Sequence, residues 1–183
     1  MRRFGVENGQ IQYLTFHRAK DLDNTNFALV QNISLQVLDM LNQEQVLSDI
    51  KEVHHLGASS HKVQAVIMSQ MKTLGFASEK RGLFSNYKVA GIRPDYYRPI
   101  PGGGILFEVE RGKTLANNMD LLDVWKTHIC KEAQHLFLLV PKIRVTAKGA
   151  EQKVFNTVAN RVETFFADVI TPIDVTSVHL FGY

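Results

Sequence analysis

Cysteine is almost missing from this chain. Cys130 is the only one in 183 residues, so no internal disulfide forms, and a reducing, cytoplasmic setting is expected. Long apolar runs are missing too. No stretch reaches the roughly 18 uncharged apolar residues of a membrane span, so no membrane partner is expected. Met1 to Gly5 run directly into polar Glu7 and Asn8, without the apolar centre of a secretion signal. No Gly/Ser/Pro-rich linker divides the chain and no solenoid-type repeat is visible. His54, His55 and His61 have no cysteine partners at zinc spacing. A Walker phosphate loop around Gly112-Lys113-Thr114 needs another glycine five positions before Gly112, where Phe107 stands. Neither charge sign dominates: 21 Lys and Arg against 18 Asp and Glu give a net +3. That excess permits a polyanionic partner without demanding one.

What is present is ordinary globular material, 45% hydrophobic and 21% charged. Disorder and rod-like folds are thereby excluded. The length suits a single domain over 1–183, of the usual roughly 100–200 residues. An N-terminal hairpin and helical extension covers 1–56, a core covers 57–140, and a C-terminal helix and strand cover 141–183.

Asn8-Gly9 signals a hairpin turn before the β-forming run from Gln10 to His17. Asp23, Asn24 and Thr25 offer caps for a helix with Leu29, Val30, Ile33, Val37, Leu38, Met40 and Leu41 on its stripe. Ser59-Ser60 caps a second helix with Val63, Ile67, Met71 and Leu74 on one face, stopped at Gly75. Leu83 to Tyr97 is aromatic and β-branched. Pro99 to Gly104 reads as a loop. Ile105 to Glu110 reads as a strand, Thr114 to Ala133 as a helix, and the apolar run from His135 to Val140 as a buried strand. A helix over Ala150 to Val169 and a β-rich run over Val175 to Phe181 close the chain. This order predicts an α/β fold with a mixed sheet flanked by helices. Cys130, Trp125, Phe165 and Phe166 read as core.

The informative residues are carboxylates. In a strand, alternate side chains face opposite ways. Ile105, Phe107 and Val109 then form a core face, and Leu106, Glu108 and Glu110 share the other. Two carboxylates side by side repel, and burial raises their pKa. A divalent cation removes that cost. A hairpin would bring Asp95 close to Glu108, completing a hard oxygen site for Mg²⁺ or Mn²⁺. The competing reading is a solvated strand face. On the helix that follows, Leu115, Met119, Leu122, Ile129 and Ala133 form one apolar stripe. Lys126 falls inside it, where it either meets an anion, the Glu108/Glu110 pair, or snorkels to solvent.

Pro94-Asp95, Glu108-Val109-Glu110 and the order helix, three strands, helix, strand over roughly Ser59 to Val140 resemble the PD-(D/E)XK nuclease superfamily. That superfamily includes many restriction endonucleases and DNA-repair nucleases. Pro94-Asp95 corresponds to its "PD". Glu108-Val109-Glu110 corresponds to its (D/E)-x-K, in the Glu-x-Glu form of some restriction enzymes. The resemblance implies a restriction-endonuclease-like fold with 57–140 as catalytic core, and Mg²⁺- or Mn²⁺-dependent hydrolysis of DNA phosphodiesters. Asp95 and Glu108 would ligate the metal, and Glu110 would ligate it or orient the attacking water. Lys126, or else Lys113, would balance charge in the transition state. Gln64 faces away from the apolar stripe of its helix and reads as an ordinary solvated glutamine, or as the Glu or Gln that the superfamily often sets on that helix beside the metal. A homodimer suits such chemistry, since one site of this type cuts one strand. The alternative is a non-catalytic DNA- or partner-binding module that keeps the fold without the usual lysine. Arg93, Tyr96, Tyr97 and Arg98 flank Asp95, and Arg111 and Lys113 flank Glu110. Cations and aromatics so placed suit a DNA backbone entering the site, or make a solvated hairpin rim.

Overall fold

Six consecutive apolar or half-apolar residues, His135 to Val140, make the central strand because both of its faces are covered. In the computed structural model all six are buried. The structure describes residues 11–18, 25–55, 57, 59–78, 80–88, 91–112, 114–146, 148–167 and 173–183. In chain order the elements are β1 (Gln12–His17), α1 (Thr25–Leu41), α2 (Glu44–Val53), α3 (Ser60–Thr73), β2 (Ala77–Ser78), β3 (Tyr96–Ile100), β4 (Gly103–Val109), α4 (Met119–Ile129), β5 (His135–Val140), β6 (Arg144–Val145), β7 (Glu151–Gln152), α5 (Val154–Phe166) and β8 (Ser177–Gly182). The six-stranded sheet runs β1-β8-β5-β4-β3-β2. Its β4–β5 and β5–β8 pairs are parallel and its other three pairs antiparallel. The chain is thus mixed α/β, as expected. Among the described residues no helix is long and apolar enough to cross a membrane.

The pleat sorts β4 between two cores. Ile105, Phe107 and Val109 join Val63, Ile67 and Met71 of α3, Val37 of α1 and Ile50 of α2. Leu106 joins Val124 of α4 and Val158 and Val162 of α5 on the opposite face. The alternation read from the strand therefore holds. Each face buries branched side chains at roughly 25 cal/mol per Å² of apolar surface. A polar chain also crosses the interior. Tyr13 Oη meets Ser34 Oγ at 2.6 Å and His179 Nδ1 at 2.7 Å, and Ser177 Oγ bridges His179 Nε2 (3.1 Å) to His135 Nδ1 (2.8 Å). Burial holds His135 down to about 4 and His179 well below the usual imidazole value, so both imidazoles of this hydrogen-bonded network are neutral at pH 7.

Some boundaries differ from the sequence reading. The turn at Asn8-Gly9 lies outside the described residues, as do caps Asp23 and Asn24. Where the turn had implied a hairpin partner, β1 pairs with β8 across the whole chain. Helix α2 was not foreseen. Pro99 to Gly104 is not a loop but a tight hairpin: Pro99 pairs with Gly104, Ile100 with Gly103, and only Pro101 and Gly102 turn. Because β2 covers only Tyr96 and Tyr97, Pro99 sits at a sheet edge, where a missing donor costs least.

Gly104 has a steric reason to be glycine. A Cβ there would lie 2.5 Å from the Glu132 carbonyl oxygen and 2.5 Å from Tyr97 Cε2. Gly104→Ala is expected to cost about 1–3 kcal/mol by overpacking, read from urea unfolding midpoints. Gly103→Ala is the control, since its added Cβ meets only the Gln134 side chain, which can swing away. Equal midpoints for the two variants would refute the steric account.

Candidate metal and active site

The site forms at the open end of the β3–β4 hairpin, where α4 brings a lysine onto β4. Tyr96 pairs with Phe107, which sets Asp95 beside Glu108. The Asp95 N–H donates to Glu108 Oε2 (3.3 Å), and the Val109 N–H donates to Asp95 Oδ2 (2.8 Å). The hairpin argument for these two residues is thus realised. Glu110 follows β4 directly. Its N–H continues the ladder to the Leu139 carbonyl (2.8 Å), and its carboxylate accepts from Thr114 Oγ1 at 3.4 Å.

From the neighbouring layer, α4 brings Lys126. Its Nζ donates to Glu108 Oε1 at 2.9 Å and to Asp123 Oδ1 at 3.1 Å. Lys126 therefore meets an anion rather than snorkelling away. The pair is partly of its own helix, since Asp123 lies three residues earlier.

Asp123 is the member that sequence reading missed. It is 1% exposed, and its Oδ2 is buried without a hydrogen-bond partner. The signal was there in part: an i, i+3 Asp/Lys pair on the helix that carries the misplaced lysine. The stripe analysis hid it. The buried face of α4 is Asp120, Asp123, Val124 and Thr127, whereas Leu122 and Trp125 are half exposed. The expectation of a Leu115–Met119–Leu122 stripe, and of a core Trp125, is corrected. The face is held by polar pairs. Arg161 of α5 donates to both oxygens of Asp120 (3.1 and 3.3 Å), and Thr127 donates to the Asp123 carbonyl (2.9 Å). Counting apolar residues cannot find a face buried through ion pairs.

The electrostatics follow from four carboxylates around one ammonium. Burial, then Asp123 and Asp95, push Glu108 well above the ordinary carboxylate range against the opposing Lys126. Burial and the same two aspartates push Glu110 up to about 8. Burial raises Asp123 to about 6, with Lys126 opposing. For Lys126, burial pulls its pKa down, but Glu108 and Asp123 together lift it above the usual lysine value. Carboxylate oxygens in excess of their counter-charge are the donor chemistry of a hard divalent cation, and the orphaned Asp123 oxygen is one more donor. Among the described residues, however, no group of three or more His, Cys, Asp or Glu side chains stands arranged around one ion position.

The surrounding residues divide. Tyr96 and Tyr97 were expected to line a nucleic-acid path, and both are buried. Tyr96 Oη donates to the Gln64 carbonyl (2.6 Å), and Tyr97 Oη to the Glu132 carbonyl (3.3 Å). Arg98 donates to the Leu74 carbonyl (2.6 Å) and lies over the Phe76 ring, and Arg111 is buried and donates to the His55 carbonyl. All four make packing contacts within the fold, with Arg98 half buried and the other three buried. Both faces of the sheet are covered here, so alternation sends consecutive tyrosines into two cores and not onto a rim. Arg93 is exposed. With Arg81, Phe84 and Tyr87 it lines an open cleft of about 430 Å³, tied by Tyr87 Oη to the Ile129 carbonyl at the end of α4 (2.8 Å). Lys113 lies outside the described residues. The Gln64 side chain pairs with His61 Nδ1 (3.1 Å) on the exposed side of α3.

No protein-family model matches the chain, and no curated protein matches it.

Proposed function

We propose that this protein is a metal-dependent DNA endonuclease of the PD-(D/E)XK type, with a restriction-endonuclease-like arrangement of its sheet and helices. The observation that carries the reading is Lys126 reaching from α4 onto Glu108, which itself touches Asp95 across the hairpin. Those are the positions that the motif resemblance selects, joined from three separate elements. Asp95, Glu108 and Glu110 would hold Mg²⁺ or Mn²⁺. Such an ion supplies a water of lowered pKa and neutralises charge on the phosphate. Glu110 orients the attacking water from the end of β4. Lys126 meets the negative charge that grows on the phosphate in the transition state. Arg81 and Arg93 beside the cleft suit an approaching phosphate backbone. A homodimer would present two such sites to two strands. The single, buried Cys130 suits a cytoplasmic setting.

The test is incubation of the protein with Mg²⁺ or Mn²⁺ and methylated, unmethylated, branched and single-stranded DNA. Cleavage of at least one, abolished by EDTA, is the expected result. A protein inert on all four would leave the second reading, a non-catalytic DNA- or partner-binding module. One observation favours that module: Lys126 already neutralises part of the acidic site by itself.

A further inference from the structure

Asp123 has two oxygens in different situations. Oδ1 accepts from Lys126, whereas Oδ2 is buried and has no partner among the described residues. The Lys126 ammonium sits between Asp123 on its own helix and Glu108 on β4, at 3.1 and 2.9 Å. Two of the carboxylates a cation would use are thus joined by a positive charge of the protein's own. Among the described residues no group of three acidic or histidine side chains surrounds one point.

We propose that Asp123 is a ligand of the divalent cation, and that Lys126 holds the cation's place until it binds. Binding is then an exchange. The ammonium leaves Glu108 and Asp123, and the ion takes an oxygen from each. An ion with oxygen ligands at roughly 2.0–2.1 Å draws the two carboxylates closer than an ammonium does. Double charge at that point also answers Asp95 and Glu110 better than single charge. Lys126 has a flexible four-carbon stem and is already partly exposed, so it can turn outward on release. The inference rests on the metal-dependent reading of this site and adds to it a ligand and an order of events: the lysine becomes free for a phosphate only after the ion is in place.

The experiment is calorimetric Mn²⁺ titration of the full chain without DNA, for wild type, Lys126→Met and Asp123→Asn. Exchange predicts that Lys126→Met binds Mn²⁺ about tenfold or more tightly than wild type, and that Asp123→Asn binds about tenfold or more weakly. Unchanged or weaker binding by Lys126→Met overturns the proposal. A second arm uses wild-type protein alone, in case the variants fold poorly, and it separates exchange from simple loss of a nearby positive charge. Amine acetylation followed by peptide mass spectrometry reads Lys126 with and without saturating Ca²⁺. Exchange predicts that Lys126 is protected without the ion and reactive with it. Equal protection in both states overturns exchange. If no protein binds Mn²⁺, the metal-dependent reading falls together with the exchange. If all three bind equally, only the exchange falls.

Discussion

Asp95→Asn will reduce metal-dependent DNA cleavage by at least about 100-fold while leaving the fold intact. The size follows from the loss of an anionic ligand, since even residues that only support ligands cost about 10–100-fold when removed. The selectivity follows from geometry. Asp95 Oδ2 accepts the Val109 N–H at 2.8 Å, and the amide oxygen of asparagine can accept the same bond. The Asp95 N–H to Glu108 Oε2 contact is a backbone donation and is untouched. Removing one negative charge also relieves repulsion at Glu108, Glu110 and Asp123. The melting temperature should therefore hold or rise. Single-turnover cleavage at saturating protein, with a parallel melt, checks both halves. A variant that cuts at the wild-type rate would remove Asp95 from the site.

Mg²⁺, Mn²⁺ or Ca²⁺ will stabilise the protein strongly at pH 8 and little at pH 5. Carboxyl groups raised on folding are protonated more readily in the folded state. Their stabilising effect is fully present below the unfolded value, near 4.5 for Glu110, and is lost as pH rises through the folded value, about 8 for Glu110. Asp123, raised to about 6, loses its share over the lower part of that window. At pH 8 Asp123 is ionised and Glu110 about half ionised, and a bound cation offsets the repulsion among these carboxylates. At 100 times its dissociation constant such an ion contributes about 2.7 kcal/mol, or roughly 5–10 °C for a chain of this size. At pH 5 protons occupy the same oxygens and the shift shrinks. His135, held down to about 4, acts in the opposite sense and loses stability as pH falls from 6.5 toward 4. The comparison is therefore made with and without cation at each pH. A melting shift equal at pH 5 and pH 8, or absent at both, would separate cation binding from these carboxylates.

The legible part of this site was its strand. Parity put Glu108 and Glu110 on one face and Ile105, Phe107 and Val109 on the other. The two cores divide in that way, because a pleat reverses direction at every residue whatever surrounds it. The hairpin placing Asp95 beside Glu108 was legible for the same local reason. The run from His135 to Val140 declared its burial by composition alone, and α3 showed its face through Val63, Ile67 and Met71.

The helix was less legible. Lys126 stood out as misplaced, but the stripe that made it so is not the face α4 buries. Leu122 and Trp125 are turned partly outward, and Asp120 and Asp123 are turned in. Similarly, Tyr96, Tyr97, Arg98 and Arg111 have the composition of a binding rim and the positions of packed residues. Sequence by itself determined what depends on neighbours along the chain: the alternation of β4, the pairing across the hairpin, the apolar face of α3, and that of α1 apart from Leu29, which is exposed. Only the tertiary structure decided the rotation of α4 about its axis. That rotation is set by partners distant in sequence, Arg161 for Asp120 and Glu108 for Lys126. A charged side chain is buried where its counter-charge waits, and periodicity carries no record of where that is.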